Sequence, residues 1–330
     1  MATLMSPFRF AGWGSDVPPT VMDNAPLTEH FGVEPDWIED KTGIRERRVA
    51  APGESTASLA TNAARAALDR AGLTASDVDL IALATTTPEQ PIPHTAAFVG
   101  ADLGTACASF DLNTACSGFV YGLVSTAAML NAGPSERVLL IGAETFSRVL
   151  NPDHRGTAVI FGDGAGAVVM SRDPDADSGL LSCDLGCEGT LTDLVGIRAG
   201  GSRLPSTPDA LAAHEHQLHM SGRPIFEFAV RTIVESVDAT LARASVDLSQ
   251  VQLFVPHQAN LRIIEAVGEK LNLGADKMVL NIDRLGNTAA ASIPIGLAEA
   301  ASSGRLRHGD LVLLSSVGAG MTWGSALIRW

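Results

Sequence analysis

Apolar residues along this chain fall into short runs that are separated by longer segments rich in small residues. Runs such as 108–112 and 138–144 have the length of buried strands, and the segments of about ten to fifteen residues between such runs have the length of helices. Strands that alternate with helices are typical of a mostly parallel sheet that helices cover. The pattern therefore predicts an α/β protein built around such a sheet.

One part of this pattern occurs twice. The segment AALDRAGLTASDVDLIAL, residues 66–83, returns in outline as ATLARASVDLSQVQLFVP, residues 239–256, at a constant offset of 173 residues. Each copy is interpreted as a helix, a turn and a buried strand. The apolar run VLLIGAE at 138–144 has a counterpart in LVLLSSV at 311–317. Two matches in the same order indicate an internal duplication.

The duplication divides the chain into two similar α/β halves, residues 1–170 and 171–330. The segment 173–223 is rich in Gly, Pro, Asp and Ser, which favour turns, so we interpret it as an insertion on the surface or over a cleft. In folds of this class, reactive residues collect where strands end and helices begin. Candidate site residues are therefore sought at those positions.

Composition narrows the class of protein. With 330 residues, of which 46% are hydrophobic and 18% charged, the chain can bury a large core. No apolar stretch is long enough to span a membrane, the N-terminus lacks the pattern of a signal peptide, and the four cysteines do not indicate a disulfide framework. A net charge of −14 argues against nucleic acids and anionic membranes as partners. These features predict a soluble, cytoplasmic protein.

Three polar side chains are expected at strand exits. Cys116 stands between the apolar run 108–112 and a small-residue helix, so the helix macrodipole favours its thiolate, which is the nucleophilic form. His257, in VPHQAN, and Asn287, in RLGNTAAAS, occupy similar positions in the second half. Singly, each has an ordinary explanation as a buried thiol, a structural histidine or a turn residue. Together they predict a nucleophilic site where the two halves meet.

Two other motifs are interpreted as structural. GDGAGA, residues 162–167, precedes an apolar run that predicts a strand, whereas a dinucleotide-binding loop requires a helix there. Its glycines are therefore expected to allow close backbone packing. HEHQLH, residues 214–219, holds three histidines in a polar segment without the spacing of a tetrahedral site, so we expect an exposed loop and no metal.

The order and spacing of six motifs resemble one known family across nearly the whole chain. The motifs are DWIEDKTGIRERR, NTACSGF, RGTAVIFGDGAGA, VPHQANLRII, RLGNTAAAS and GAGMTWGSALIRW. They are similar to those of β-ketoacyl-[acyl-carrier-protein] synthase III, in the thiolase-like condensing-enzyme superfamily. The resemblance implies a duplicated five-layer α/β/α/β/α fold, a homodimer, and a catalytic triad of Cys116, His257 and Asn287.

The resemblance further implies a decarboxylative Claisen condensation that uses coenzyme A thioesters as substrates and no cofactor. Cys116 would take the acyl group of an acyl-CoA, and a malonyl thioester, on acyl carrier protein or on CoA, would lose CO2 and attack that acyl group. His257 and Asn287 would donate hydrogen bonds to the enolate, and the backbone N–H groups of Cys116 and Ala319 would form an oxyanion hole. The 3-oxoacyl product would serve fatty acid initiation or supply the starter unit of a specialised metabolite.

A coenzyme A site follows from the same resemblance. Trp37 and Arg155 would hold the adenine between them through stacking and a cation–π contact. Lys41 stands where relatives often have an arginine near the nucleotide phosphates. The residues expected along the pantetheine channel are Met220, Gly222, Phe226 and Asn260.

Fewer residues support the assignments for the carrier protein and the acyl group. Arg262 and Lys270, on one side of a predicted helix, would form a basic docking face for an acidic carrier protein. Glu227 and Glu269 stand where relatives carry lysine, so either docking uses other arginines or the second substrate is not a carrier protein. Ile92 corresponds to a position that, in relatives, reaches the acyl pocket of the partner subunit.

Two other functions stay open at this stage. A condensing-fold acyltransferase would move the acyl group to a hydroxyl or an amine. The amide of Asn287 favours condensation instead, because an aspartate there would place negative charge beside the enolate. A non-catalytic partner subunit of a synthase would usually lack the nucleophile, and this chain has Cys116.

Overall fold

The computed structural model describes residues 5–330, so the first four residues of the predicted N-terminal half (1–170) lie outside the described residues. The strands are β1 (Ser6–Asp16), β2 (Val21–Asp23), β3 (Glu46–Arg48), β4 (Leu80–Ala84), β5 (Ala108–Leu112), β6 (Arg137–Thr145), β7 (Asp163–Arg172), β8 (Gly179–Cys187), β9 (Val195–Gly196), β10 (His219–Met220), β11 (Leu253–Pro256), β12 (Leu311–Gly318) and β13 (Thr322–Arg329). The helices are α1 (Ala25–Phe31), α2 (Trp37–Thr42), α3 (Thr56–Ala71), α4 (Thr95–Leu103), α5 (Gly118–Ala132), α6 (Arg155–Ala158), α7 (Pro208–Ala212), α8 (Gly222–Ala244), α9 (Leu261–Leu271), α10 (Ile282–Leu285) and α11 (Ser292–Ser302).

Nine strands form one continuous sheet in the order β11-β12-β13-β8-β1-β7-β6-β4-β5. The two halves of this sheet meet where β1 pairs with β8, at Ser6 opposite Leu180 and Pro7 opposite Gly179. Strand β4 runs parallel to β5 and β6, and β11 runs parallel to β12, whereas the pairs that involve β7, β8 and β13 are antiparallel. The prediction of a mostly parallel sheet is therefore wrong. Three residues join β12 to β13, and a connection that short returns the chain antiparallel.

The helices and sheet halves stack in five layers. Helices α3 and α4 pack on the outer face of β1, β4, β5, β6 and β7, and α8 packs on the outer face of β8, β12 and β13, with α9 beside it. Between the sheet halves lie α5 and α11, and α5 contacts strands of both halves. The central core includes Phe119, Leu123, Ile293 and Leu297 from these two helices. The five-layer α/β/α/β/α architecture is thus confirmed.

Equivalent elements recur at the spacing that the sequence repeat predicts. Strands β1 and β8 begin 173 residues apart, at Ser6 and Gly179, and so do β4 and β11, at Leu80 and Leu253. The segments 138–144 and 311–317 both lie in strands, β6 and β12, which occupy matching places in the two halves of the sheet. The boundary predicted after residue 170 falls two residues before the end of β7. That division of the chain stays a prediction.

The interpretation of 173–223 as an insertion is wrong for its first part. Strand β8 lies within it, pairs with both β13 and β1, and buries Leu180 and Leu181. The remainder carries the short pair β9 and β10 and the helix α7, and it contributes Val195, Leu218 and Met220 to the wall of a large cavity. This remainder does lie over a cleft.

The glycines of the GDGAGA motif, residues 162–167, allow close backbone packing, as predicted. The GDGAGA motif leads into and forms β7. A Cβ atom on Gly166 would lie 2.5 Å from the backbone nitrogen of Ile295, and one on Gly162 would lie 2.2 Å from the carbonyl oxygen of Leu285. Helix α11 therefore approaches β7, and the end of α10 approaches the residue before β7, more closely than a side chain would allow.

Within residues 5–330, one helical stretch, Ala115–Ala132, has the length and apolarity of a membrane span. Just over half of it, 56%, is buried inside the protein, where Phe119, Val120 and Leu123 belong to the central core. Its apolar character is therefore accounted for by packing between the sheet halves.

Candidate active site

Cys116 lies in a tight turn between β5 and α5. The turn, residues Ala115–Ser117, is a 3₁₀ helix that begins with Ala115 at a φ of 50°. Asn113 stabilises it, since its Oδ1 accepts a hydrogen bond from the backbone N–H of Ala115 at 3.2 Å. The predicted order of strand, Cys116 and small-residue helix is therefore confirmed.

The resting thiol is protonated, contrary to the expectation from the helix macrodipole. Burial, together with the charge of Glu144, raises the pKa of Cys116 from 9.0 to about 12. A shift of that size corresponds to roughly 4 kcal/mol, whereas a macrodipole contributes at most about 2 kcal/mol. Desolvation therefore outweighs the dipole and favours the protonated thiol.

His257 follows β11 directly, as predicted, and its ring is almost fully buried. The backbone N–H of His257 donates to the carbonyl of Ser315 at 2.8 Å, and its Nδ1 lies 2.7 Å from the hydroxyl oxygen of Ser292. Nε2 is therefore the nitrogen that remains for a substrate in the cavity. Burial lowers the pKa of His257 to about 3, so the ring is neutral at pH 7.

Asn287 does not follow a strand, so the sequence prediction was wrong on this point. It follows α10, and its main chain is tied to the segment before β7: its N–H donates to Ile160 O at 2.9 Å, and its carbonyl accepts from the N–H of Gly162 at 3.0 Å. Its Oδ1 accepts from the N–H of Ala289 at 2.8 Å. That bond leaves the Nδ2 group, a donor, for the cavity.

The end of β12 packs closely against the turn that carries Cys116. A Cβ atom on Gly318 would lie 2.8 Å from the backbone nitrogen of Cys116 and 2.8 Å from the carbonyl oxygen of Thr114. The hydroxyl of Ser316 donates to the carbonyl of Cys116 at 2.8 Å. Ala319, the next residue after Gly318, lines the same cavity as Cys116.

One cavity of about 930 Å³ brings most of the predicted residues together. Its walls draw on both halves of the chain, from Lys41 in α2 to the turn after β12. The sequence-predicted residues that line it are Lys41, Cys116, Met220, Gly222, Phe226, His257, Asn260, Arg262, Asn287 and Ala319.

The innermost wall of the cavity is apolar and was not predicted. Cys116 packs in one cluster with Phe146, Phe161, Leu218 and Ala289. The two phenylalanine rings are stacked, with centroids 4.6 Å apart. Nothing in the chain order marks these residues, because each comes from a different element and they meet only through the tertiary fold.

At the mouth of the cavity, α2 carries two of the predicted coenzyme A residues. Lys41 lines the cavity, and Trp37 lies one turn earlier on the same helix, with the guanidinium of Arg155 4.7 Å from its ring centroid. Residues at the start of α9 hold this helix, because Asn260 donates to Lys41 O and Arg262 donates twice to Asp40 O. Trp37 and Arg155 thus meet each other, outside the residues that line the cavity.

Besides Trp37 and Arg155, two more predicted residues lie away from the cavity wall in the single chain. Ile92 is 84% exposed, on the loop between β4 and α4, and Lys270 is exposed near the end of α9. The histidine motif 214–219 is only partly an exposed loop, because Leu218 is buried and His219 begins β10. Among residues 5–330, no group of three or more metal-ligating side chains comes together.

Glu144, at the end of β6, is a buried carboxylate that sequence reasoning missed. It accepts hydrogen bonds from the backbone N–H groups of Thr86 and Thr87 and from the hydroxyls of Thr85, Thr86 and Thr87. Burial raises the pKa of Glu144 to about 7. Since Thr86 lines the cavity, this carboxylate fixes one of its walls.

Comparison with known proteins agrees with this fold. The family model for 3-oxoacyl-[acyl-carrier-protein] synthase III matches residues 110–189, and the model for the C-terminal part of the same family matches residues 241–330. The β-ketoacyl-[acyl-carrier-protein] synthase III of Roseiflexus castenholzii is 48% identical over 320 residues, which cover 97% of each chain.

Solved structures give the same result. The crystal structure of 3-oxoacyl-[acyl-carrier-protein] synthase III from Aquifex aeolicus superposes with a TM-score of 0.90 at 39% identity, covering 98% of this chain and 100% of that one. The priming β-ketosynthase from the R1128 polyketide biosynthetic pathway gives a TM-score of 0.89 at 29% identity, covering 100% of this chain and 98% of that one.

The fold and its relatives define a thiolase-like condensing enzyme that transfers acyl groups. Within that class, the chain belongs to the 3-oxoacyl-[acyl-carrier-protein] synthase III family.

Proposed function

We propose that this protein joins an acyl-CoA to malonyl-[acyl-carrier protein] by decarboxylative condensation, with Cys116 as the nucleophile and His257 and Asn287 as hydrogen-bond donors. The observation that carries the proposal is one cavity whose wall includes all three side chains. Local hydrogen bonds already engage His257 Nδ1 and Asn287 Oδ1, so His257 Nε2 and Asn287 Nδ2 are the atoms left for a substrate.

In the first half-reaction, the sulfur of Cys116 attacks the thioester carbonyl of the acyl-CoA. A carbon–sulfur bond forms to Cys116, the bond to the CoA sulfur breaks, and the thiol proton ends on the departing CoA. The negative oxygen of the tetrahedral intermediate accepts hydrogen bonds from the N–H groups of Cys116 and Ala319. Losing one such donor typically costs about 3 to 4 kcal/mol of barrier.

In the second half-reaction, the malonyl thioester loses CO2 and its electron pair passes into an enolate. His257 Nε2–H and Asn287 Nδ2–H hold the enolate oxygen, and both groups are neutral donors in a dry site, where such bonds are strongest. The enolate carbon attacks the acyl group on Cys116, and the sulfur leaves as a thiolate that takes up a proton. The products are a 3-oxoacyl thioester and CO2.

The substrates would enter through the mouth at α2 and α9. The guanidinium of Arg155 lies 4.7 Å from the centroid of the Trp37 ring, so the two side chains would have to move apart to hold the adenine between them, and Lys41 would supply positive charge nearby. Met220, Gly222, Phe226 and Asn260 would line the pantetheine channel, since all four line the cavity. Each step uses this chain's own side chains and backbone together with the two thioesters, so the proposed chemistry requires no cofactor.

Several further assignments belong to the same proposal. We place the enzyme in the cytoplasm as a homodimer, in which the exposed Ile92 of each protomer reaches the acyl pocket of its partner. Arg262 and Lys270 would receive the carrier protein, and residues 1–170 and 171–330 would be the two duplicated halves. The product would enter fatty acid synthesis or start a specialised metabolite.

The proposal is tested by following the two half-reactions separately. Intact-protein mass spectrometry after incubation with a panel of acyl-CoAs should show one acyl adduct, which Cys116→Ala abolishes because the nucleophile is gone. Cys107→Ala, which removes another partly buried thiol, is the matched control and should keep the adduct. An adduct that survives Cys116→Ala would mean another nucleophile and would overturn the proposal.

A second variant separates condensation from simple acyl transfer. Asn287→Asp should retain the adduct but lose CO2 release from malonyl-[acyl-carrier protein] by about 100-fold or more, because a carboxylate replaces a donor beside the enolate. If the wild-type acyl-enzyme forms but releases no CO2 with any malonyl thioester, and instead acylates a hydroxyl or an amine, the acyltransferase function replaces this one.

A further inference from the structure

The short turn from Ala289 to Ser292 contacts all three residues of the proposed triad. Ala289, which has a φ of 45°, packs against Cys116 and donates its N–H to Asn287 Oδ1. Ser292, the first residue of α11, is 1% exposed and places its hydroxyl oxygen 2.7 Å from His257 Nδ1. One buried turn therefore orients both donors relative to the nucleophile.

The hydroxyl of Ser292 has one proton and two possible acceptors. Its oxygen lies 2.9 Å from the carbonyl oxygen of Ala289 and 2.7 Å from His257 Nδ1, and it also receives a long contact, 3.4 Å, from the N–H of Gln258. A neutral imidazole carries one N–H, so the direction of the Ser292–His257 bond decides which ring nitrogen is protonated.

We infer that Ser292 is a positioning residue that donates its proton to His257 Nδ1 and thereby keeps the imidazole proton on Nε2, facing the cavity. The inference rests on the proposed function, because only a protonated Nε2 can donate to the enolate oxygen. If the hydroxyl donated to Ala289 instead, Nδ1 would carry the proton and a bare Nε2 lone pair would face the developing negative charge. The wrong tautomer of a catalytic histidine is costly in other enzymes.

Loss of this hydroxyl should affect the two half-reactions unequally. In Ser292→Ala, the acyl adduct on Cys116 should form at close to the wild-type rate. Release of CO2 from malonyl-[acyl-carrier protein] should fall by about 5- to 100-fold, the effect of losing one buried hydrogen bond to a reacting group. The loss should lie in kcat rather than in KM, since Ser292 does not line the cavity.

Ser315 offers a matched control. It is equally buried, at 1% exposure, and lies beside His257, but its hydroxyl bonds to Ser325 and not to the imidazole. Ser315→Ala should therefore leave CO2 release within about twofold of the wild type. If both variants lose the same activity, or if both half-reactions of Ser292→Ala fall together, the hydroxyl is merely structural and the inference is wrong.

The tautomer can also be measured in the unmodified enzyme. In ¹⁵N-histidine-labelled protein, with the resonance assigned by His257→Gln, the Nε2 signal of His257 should be of the protonated type and Nδ1 of the unprotonated type. The reverse pattern would overturn the inference, whatever the fate of the Ser292 variant. A wild-type enzyme that releases no CO2 while showing the expected tautomer would instead count against the proposed function.

Discussion

The two ionisable side chains of the proposed triad, Cys116 and His257, have pKa values that keep both of them uncharged at rest. Burial raises the pKa of Cys116 to about 12 and lowers that of His257 to about 3, so both are neutral at pH 7. A neutral thiol and a neutral imidazole favour an uncharged thioester beside them, and their buried setting strengthens each hydrogen bond to an oxyanion once charge develops.

The burial of His257 should make the enzyme sensitive to acid. Below pH 6.5 the unfolded chain protonates this histidine, while the native ring stays neutral down to about pH 3, so lowering the pH favours unfolding. The free energy of unfolding should therefore fall by about 1.4 kcal/mol per pH unit from this group alone. In His257→Gln, the free energy of unfolding should fall less steeply between pH 6.5 and 4, by about 1.4 kcal/mol per pH unit.

Denaturant titrations at a fixed protein concentration measure this slope. His214→Gln, at an exposed position, is the control and should keep the wild-type slope. Glu144 opposes the effect, because its pKa of about 7 makes the native state bind a proton that the unfolded state loses above about pH 4.5. The comparison is therefore made between variants that retain Glu144. Equal slopes for His257→Gln and wild type would contradict a buried, neutral His257.

At the scale of elements, the site is built where the ends of β5, β11 and β12 meet the central helices. Each end leads to a different residue of the proposed site: β5 to Cys116, β11 to His257, and β12 to Ala319. The close approach of β12 to the nucleophile turn depends on Gly318, which has no room for a side chain. The spacing of the two proposed oxyanion donors is thus set by backbone packing.

Gly318→Ala should push β12 and the turn that carries Cys116 apart. The added methyl group would meet the backbone of Thr114, Cys116 and Ser117 within about 3 Å, so either β12 or the nucleophile turn must move. We expect a loss of about 1 to 3 kcal/mol in the free energy of unfolding and a slower formation of the acyl adduct. Gly201→Ala, at a glycine with open space around it, is the control. A Gly318→Ala enzyme with wild-type acylation would contradict this role for β12.

At the scale of the whole molecule, the cavity lies between the two halves, and contacts between them hold its mouth together. Arg262, from the second half, donates two hydrogen bonds to the carbonyl of Asp40 at the end of α2, in the first half. These bonds satisfy a carbonyl that the helix leaves unpaired. The guanidinium that makes these bonds belongs to Arg262, which is also proposed to receive the carrier protein.

Arg262 and Lys270 should therefore differ in their effects. Arg262→Ala removes the contact that holds α2, which carries Trp37 and Lys41, so the KM for acyl-CoA should rise about 5- to 20-fold, as expected for lost hydrogen bonds to a charged group. Lys270→Ala should leave the KM for acyl-CoA unchanged and raise only the KM for malonyl-[acyl-carrier protein]. Steady-state kinetics with each substrate varied in turn measures both. Equal effects of the two variants on the KM for acyl-CoA would contradict the role of Arg262 in holding α2.

Several local features were predictable from the sequence because neighbours along the chain determine them. An apolar run followed by a small-residue helix places Cys116 at the end of β5, and an apolar run before a polar dipeptide places His257 at the end of β11. Strand β8 was assigned to an insertion because GLLSCDLGC interrupts its apolar residues with polar ones and lies among turn-forming segments. Asn287 was misplaced because α10 is too short to show a helical period.

By itself, the sequence determined the α/β class, the duplication and the candidate residues for the chemistry, since these depend on local periodicity and on residue type. Only the tertiary structure decided the mixed strand order, the phenylalanine pair beside Cys116, the contact between Ser292 and His257, and the protonation of the thiol. The physical reason is that burial and hydrogen-bond partners come from residues far apart in the chain. Their effect on a pKa or a tautomer exists only once the chain has folded.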